Sequence, residues 1–119
     1  MQNYRELKVW EKAHRLTLAV YKATAEFPRS EEYGLKSQVR RACASVPANI
    51  AEGCGRGTRA EFARFATIAM GSASELDYHL LLAHDLEMLT DVQYEYLSAE
   101  LIQVRKMLTA LVQKLMTND

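Results

Sequence analysis

Apolar residues recur every three or four positions along most of the chain, in four segments separated by short breaks. This spacing places the apolar side chains of each segment on one helix face. The segments span about residues 5–27, 31–52, 59–87 and 91–116, and no strand-like alternation competes with them. Four helices with short connections predict an all-α, antiparallel up-down-up-down four-helix bundle, with residues 1–119 as a single domain.

The first segment carries more apolar positions than one helix seam needs. They fall on two adjacent stripes, Leu7, Trp10, Thr17, Tyr21 and Thr24 beside Val9, Ala13, Leu16, Val20, Ala23 and Phe27. Two stripes side by side predict a wide apolar surface. We interpret the surplus as a contact surface for a second copy of the chain.

Proline, glycine and hydroxyl residues predict where the first two helices begin and end. Pro28 stops the first helix, because the residue before a proline is pushed out of the α-helical region. Ser30 is placed to cap the second helix. Pro47 lies inside that helix and predicts a kink, and Gly53 is placed to end it in a left-handed turn.

The last two helices each begin at a capping box, in which a Thr and the residue three positions later bond to each other's backbone N–H groups. The pairs are Thr58 with Glu61 and Thr90 with Gln93. Within the third helix, the small residues around Gly71 predict a close approach by another backbone, because a glycine otherwise weakens a helix.

Composition indicates an ordinary globular protein, with 49% hydrophobic and 25% charged residues. No run of 18 apolar residues and no signal segment is present, so we expect no membrane association and a cytoplasmic location. Cys43 and Cys54 are then expected to be reduced thiols.

Charge is unevenly distributed although the net charge is zero. Residues 1–60 carry 11 basic and 6 acidic residues, whereas residues 61–119 carry 4 basic and 9 acidic residues. Such a split steers a nucleic acid to one side, or steers copies of the chain head to tail. Two simply solvated surfaces would show the same split.

Candidate chemistry is sparse. His14, His79 and His84 include no Glu-x-x-His motif of the kind that di-iron bundles use, and Glu75 with His79 supplies two ligands only. The glycine-rich segment 53–57 lacks the Lys-Ser/Thr of a phosphate-binding loop and follows no strand. The sequence therefore predicts no catalytic residue, no cofactor and no metal site.

A row of polar residues follows one face of the second helix at Arg41, Ser45, Asn49 and Glu52. Together with Gln38 and Glu75, the row predicts a buried polar network between helices or subunits, since such side chains can satisfy one another. Contact with a ligand or a phosphate is the alternative. Four arginines are candidates for contacts with nucleic acid or a neighbouring subunit: Arg40, Arg41, Arg56 and Arg59.

The segment QVRRACASVPANIAEG at residues 38–53 resembles the signature of the bacterial four helix bundle proteins encoded in intervening sequences of 23S ribosomal RNA genes. Further similar stretches are LKVW at 7–10, FP at 27–28, EYGL at 32–35 and AMGSASEL at 69–76. The resemblance implies an all-α bundle assembled as a ring of five, without enzymatic activity.

A relative that assists the reverse transcriptase of diversity-generating retroelements is similar in fold, and a basic surface is thought to bind nucleic acid there. The present chain is neutral, with a pI near 6.8. We therefore expect a homo-oligomeric interaction scaffold with an unknown protein partner. The alternative is an RNA- or DNA-binding accessory protein linked to ribosomal RNA.

Overall fold

Four α-helices account for most of the chain in the computed structural model, which describes residues 3–117. They are α1 (Lys8–Thr24), α2 (Leu35–Cys54), α3 (Arg59–Asp85) and α4 (Asp91–Met116), with one-turn 3-10 helices at Tyr4–Glu6 and Arg29–Glu31. No strand occurs within residues 3–117, which confirms the predicted fold class. Residues 1–2 and 118–119 of the predicted domain lie outside the described residues.

The helices form a four-cornered bundle in which each helix contacts the two beside it. α1 packs on α2 and α4, and α3 packs on the same two helices, so α1 and α3 occupy diagonal corners without contact. Neighbours are antiparallel, since the end of α1 at Thr24 meets Arg40 near the start of α2. The bundle measures 47 × 23 × 20 Å.

The core is built from the predicted apolar stripes. The largest fully buried aliphatic side chains are Ile50, Leu76, Leu80, Leu97, Leu101 and Leu108. Burying a side chain of this size contributes roughly 1.5–3 kcal/mol, so the shared core is the main stabilising term of the fold. On α4, the apolar residues near the two ends of the helix, Tyr94, Leu111 and Leu115, are half-buried, whereas Leu97, Leu101, Val104 and Leu108 between them are buried.

The two stripes of α1 are largely used within the chain, contrary to the predicted surplus. Buried positions are Val9, Ala13, Leu16, Val20, Thr24 and Phe27, and Leu7, Trp10, Thr17 and Ala23 are half-buried. The physical reason is that α1 contacts two neighbours at once and needs a wide apolar face for them. Tyr21 is the member of the first stripe that stays exposed, at 40%, and Leu18, which lies outside both stripes, is 58% exposed.

The connection between α1 and α2 differs from the prediction. α1 ends at Thr24 and α2 begins at Leu35, and the predicted cap Ser30 lies in the 3-10 turn between them. The carboxylate of Glu31 takes the capping role, because its Oε1 accepts the N–H of Leu35 at 2.9 Å.

Pro47 lies within α2, which is one helix from Leu35 to Cys54, and its ring is buried. A proline supplies no N–H to the carbonyl four residues earlier, which belongs to Cys43. That oxygen lies 3.4 Å from the hydroxyl of Thr17 on α1, a hydroxyl that also donates to Ala13 O at 2.8 Å. A side chain of the adjacent helix therefore faces the carbonyl that Pro47 leaves without its helical donor.

Neither Gly53 nor Gly71 has the role that the sequence predicts for it. Gly53 lies inside α2 rather than ending it, and a Cβ placed there would stand 2.7 Å from the Cβ of Phe65 on α3. Gly53 is therefore where two helix backbones approach closely. Gly71, where that approach was predicted, is exposed, and no atom from another part of the described chain lies within 4 Å of the position that a methyl group would occupy.

One of the two predicted capping boxes is complete, and the other is only half formed. Thr90 and Gln93 form the complete capping box. Thr58 accepts the N–H of Glu61 at 3.1 Å, but the Glu61 carboxylate bonds to Arg64 at 2.9 Å instead of returning to the backbone. That hydrogen bond lowers the pKa of Glu61.

Candidate functional site

A small polar cluster lies at the seam between α2 and α3. The hydroxyls of Ser45 and Ser72 are 2.8 Å apart, and the amide nitrogen of Asn49 donates to the Ser45 hydroxyl at 2.9 Å and to the Ser45 carbonyl at 2.8 Å. All three side chains are half-buried. Two of the residues expected in a polar network are thus joined, with Ser72 as a partner that the sequence pattern did not indicate.

The other residues of the predicted network lie elsewhere. Gln38, Glu52 and Glu75 are exposed, and Glu52 pairs with Arg56 at 3.2 Å. The carboxylate of Glu75 stands 4.0 Å from the Nε2 atom of His79 on its own helix. Gln38 and Glu52 lie about two turns before and after Ser45 along α2 and are exposed. The network is therefore smaller and less buried than predicted.

Two of the four candidate arginines close the C-terminal ends of helices. Arg40 donates to the Thr24 hydroxyl at 2.8 Å and to the Tyr21 carbonyl at 2.9 Å, and its guanidinium lies 4.4 Å from the centre of the Tyr21 ring. Arg59 donates to the Lys114 carbonyl at 2.6 Å. Such positions suit a cation, since the last carbonyls of a helix lack intrahelical donors and carry partial negative charge.

The remaining two arginines differ in their surroundings. Arg56 pairs with Glu52 and lies 4.8 Å from the centre of the Phe65 ring. Arg41 is exposed, and no hydrogen bond or ion pair holds its side chain within residues 3–117. Of the four, Arg41 is therefore the one whose guanidinium is available to another molecule.

The three histidines occupy separate places. His14 stacks on Trp10 with ring centres 4.9 Å apart, and His84 bonds to Asp91 at 2.7 Å and stacks on Tyr94. His79 is buried, and its Nδ1 atom has no hydrogen-bond partner in the described part of the chain. Across residues 3–117, no three His, Cys, Asp or Glu side chains converge as metal ligands.

Both cysteines are buried on α2. Burial raises the pKa of Cys43 to about 11, against a smaller opposing effect of its hydrogen bond to Thr17. Burial also raises the pKa of Cys54. Because the thiolate is the reactive form, both thiols are poor nucleophiles at neutral pH.

An outward-facing stripe on α3 carries two apolar side chains that the bundle leaves exposed, Ile68 and Tyr78. We define the outer stripe of α3 as Ile68, Gly71, Glu75, Tyr78 and Leu82, which follow one another at steps of three and four and so share one face. Ile68 is 41% exposed and Tyr78 is 59% exposed. The inward face of α3 carries more apolar residues than the outer stripe. The outer stripe was therefore overlooked in the sequence, although it follows the same three-and-four spacing.

The charge split along the chain becomes a split in space. The basic first half forms α1 and α2, which pack together, and the acidic second half forms α3 and α4, which also pack together. One layer of the bundle is therefore rich in cations and the opposite layer is rich in carboxylates. No described helix is long and apolar enough to cross a lipid bilayer.

These features define a class of protein: an antiparallel four-helix bundle whose polar side chains mainly cap helices and join seams. Within that class, the chain belongs to the 23S rRNA-intervening sequence protein family, whose family model matches residues 5–110. This confirms the resemblance found in the sequence. The family is one of unknown function, linked to the 23S rRNA intervening sequence.

A solved structure is similar over most of its length. It is the crystal structure of a protein with unknown function from the S23 ribosomal protein family of Bacteroides thetaiotaomicron, with 27% sequence identity and a TM-score of 0.79. The match covers 88% of the present chain and 98% of the other. No curated protein matches the chain.

Proposed function

We propose that this protein is a non-catalytic, cytoplasmic interaction scaffold that works as a homo-oligomeric ring. The observation that carries the proposal is the outer stripe of α3, where Ile68 and Tyr78 remain exposed on a bundle whose core is already filled. Large apolar side chains that stay exposed along one helix face support a role of that face in protein–protein contacts.

The distribution of charge supports contacts between copies of the chain. A basic layer and an acidic layer on one molecule attract each other across two molecules. Contacts between two different surfaces generate rings when the rotation closes. The family resemblance implies five copies, and that number is part of the proposal.

The test is the mass of the purified protein at micromolar concentration, measured by light scattering and sedimentation velocity. We expect a single species near five times the chain mass of 13.5 kDa. The double variant Ile68→Glu, Tyr78→Glu should lower that mass, because it places charge on the outer stripe of α3. Val92→Glu is the matched control, since Val92 is 76% exposed at the start of α4, outside the stripe. A monodisperse wild-type monomer would contradict the proposal.

Binding of RNA or DNA is a second candidate function, favoured by one specific observation. Arg41 is exposed without a partner among residues 3–117, on the α2 segment that carries the family signature. The family's link to the 23S rRNA intervening sequence supports the same interpretation. Arg40, Arg56 and Arg59 weaken it, because each is bonded within the chain.

The measurement for this candidate is a titration of a labelled structured RNA at low and at physiological salt. Phosphate contacts predict affinity that falls steeply as salt rises, with a slope set by the number of contacts. Arg41→Ala should weaken binding and reduce the slope, whereas Lys106→Ala on the acidic layer should change neither. Absence of binding at low salt would exclude this function and leave protein partners.

A further inference from the structure

We infer that neighbouring copies join through unlike helices, with the outer stripe of α3 on one copy packed against the outward face of α1 on the next. This inference rests on the proposed function, because it assigns the surfaces of the proposed assembly. It commits to a second copy of the chain as the occupant of the α3 stripe.

The α3 side of the contact has the spacing and shape of a helix-packing seam. Its residues follow the three-and-four alternation that allows two helices to pack side by side along their length. Gly71 lies one turn after Ile68, and no atom from another part of the described chain lies within 4 Å of the position that a methyl group would occupy there. Ile68 and Tyr78 stand on either side of this low point, so an approaching helix meets two apolar walls.

The α1 side has a matching stripe. We define the outer stripe of α1 as Glu11, His14, Leu18, Tyr21 and Ala25, which also alternate at steps of three and four. Leu18 is 58% exposed at its centre. The ring of Tyr21 is held in place by Arg40, whose guanidinium lies 4.4 Å from the ring centre. A fixed aromatic side chain loses little conformational freedom on association.

Charge decides which stripes face each other. Glu75 lies within the α3 stripe, and no Lys or Arg pairs with it in the described part of the chain. Beside the α1 stripe lies Lys22, which is exposed and has no carboxylate partner there. Two α3 stripes in contact would bring two Glu75 carboxylates together. In the α1 stripe, the carboxylate of Glu11 is already paired with Arg15 at 3.0 Å, so α1 offers Lys22 to Glu75. Complementary charges favour the contact of α3 with α1.

The positions of α1 and α3 determine how such contacts propagate. The two helices occupy diagonal corners and do not contact each other within a chain. Each copy therefore presents one surface of each kind, pointing in different directions. Repetition of this single contact joins any number of copies, and it closes into a ring when the rotation between neighbours allows it.

A mixing experiment tests the pairing directly. Leu18→Glu blocks the α1 stripe, and Ile68→Glu with Tyr78→Glu blocks the α3 stripe. All three positions are exposed, so circular dichroism should show wild-type helix content in both variants. Each variant alone should run as a monomer, since every contact needs one stripe of each kind. Mixed in equal amounts, the two should form a complex of two chains, because one α1 stripe and one α3 stripe remain intact.

Each other outcome overturns the inference in a recognisable way. If Leu18→Glu alone still forms dimers or keeps the wild-type mass, α1 takes no part in the contact. If both folded variants remain monomers when mixed, the two stripes do not pair with each other. In either case the wild-type assembly would still stand, so the proposed function survives. A monomeric wild type would instead remove both.

Discussion

At residue scale, one guanidinium holds the end of α1 against α2. Arg40 bonds to the hydroxyl of Thr24 and the carbonyl of Tyr21, and stacks on the Tyr21 ring. Its neighbour Arg41 is exposed with no such contact among residues 3–117. Arg40 therefore has a structural role, whereas its neighbour Arg41 is available to bind another molecule.

Replacement of these two arginines should give different stabilities. Arg40→Ala should lower the free energy of unfolding by about 1–3 kcal/mol, since it removes charge-assisted hydrogen bonds. Arg41→Ala should change it by less than about 0.5 kcal/mol, as expected of a surface substitution. Urea denaturation followed by circular dichroism measures both. Equal effects of the two substitutions would contradict the assignment of Arg40 as a helix-closing residue.

The buried thiol of Cys43 should make stability depend on alkaline pH. The fold raises its pKa from 9.0 to about 11, so the folded state favours the neutral thiol. The stabilisation is complete below pH 9, and it decreases between pH 9 and 11 because the unfolded chain loses the proton first. A pKa shift of this size corresponds to about 3 kcal/mol.

Comparison with Cys43→Ala isolates this effect, because every other ionisable side chain is the same in the two proteins. Denaturation curves between about pH 8 and pH 11 should show the wild type losing more stability than the variant. Parallel loss in the two proteins would mean that Cys43 ionises as easily in the folded state as in the unfolded one.

Residue roles were predictable only in part, for a physical reason. The pattern of residues placed Ser45 and Asn49 on one face of α2, and they do bond to each other. Their partner Ser72 lies on α3, and its position opposite Ser45 depends on the offset between α2 and α3 along their axes. Spacing along one helix carries no information on that offset. The same limit applies to Arg59, whose acceptor is on α4.

At the scale of elements, the seam between α2 and α3 depends on a single missing side chain. A Cβ at Gly53 would stand 2.7 Å from the Phe65 Cβ and 3.3 Å from the Phe62 carbonyl oxygen. Neither the Cβ nor the backbone oxygen can rotate away, so the helices would have to separate.

Gly53→Ala should therefore destabilise the bundle despite the better helix propensity of alanine. Overpacking of this kind costs about 1–3 kcal/mol. Gly55→Ala is the control two residues away, where a methyl group would meet atoms at an ordinary 3.6 Å, and its effect should stay within about 0.5 kcal/mol. Thermal unfolding of the two variants measures the difference. A Gly53→Ala protein as stable as the wild type would show that the seam can widen freely.

The spacing of apolar residues predicted the four α-helices correctly, but the residues at which helices begin and end were not always predicted. The two Thr caps were readable because cap and partner are three residues apart in sequence. The predicted start of α2 lies too early. Glu31 rather than Ser30 caps the helix, because its carboxylate accepts the N–H of Leu35. Which of two adjacent polar residues caps a helix depends on the backbone geometry before that helix, and the spacing of residue types does not specify this geometry.

At the scale of the whole molecule, the order of charges along the chain determines the layers of the bundle. An up-down-up-down connection keeps α1 beside α2 and α3 beside α4, so a basic first half and an acidic second half become two layers of opposite sign. Apolar stripes that face outward on α1 and α3 lie one in each layer. In the proposed assembly, charge selects which surfaces meet, and the exposed apolar side chains lose contact with water.

This arrangement predicts that association weakens as salt rises. Attraction between exposed charges is screened over about 10 Å at 0.1 M salt and about 3 Å at 1 M. Sedimentation velocity across that range should show the dissociation constant between copies increasing with sodium chloride. Lys22→Gln should make this dependence shallower, because Lys22 lies beside the outer stripe of α1. Lys106→Gln should leave it unchanged.

The opposite salt dependence would identify a different contact. If two α3 stripes paired with each other instead, their Glu75 carboxylates would repel across the interface, and added salt would screen that repulsion. Association would then strengthen with sodium chloride, and Lys22→Gln would have no effect. The sign of the salt dependence thus distinguishes a contact between α1 and α3 from a contact between two α3 helices. The measurement needs only the wild-type protein, with its apolar side chains unaltered.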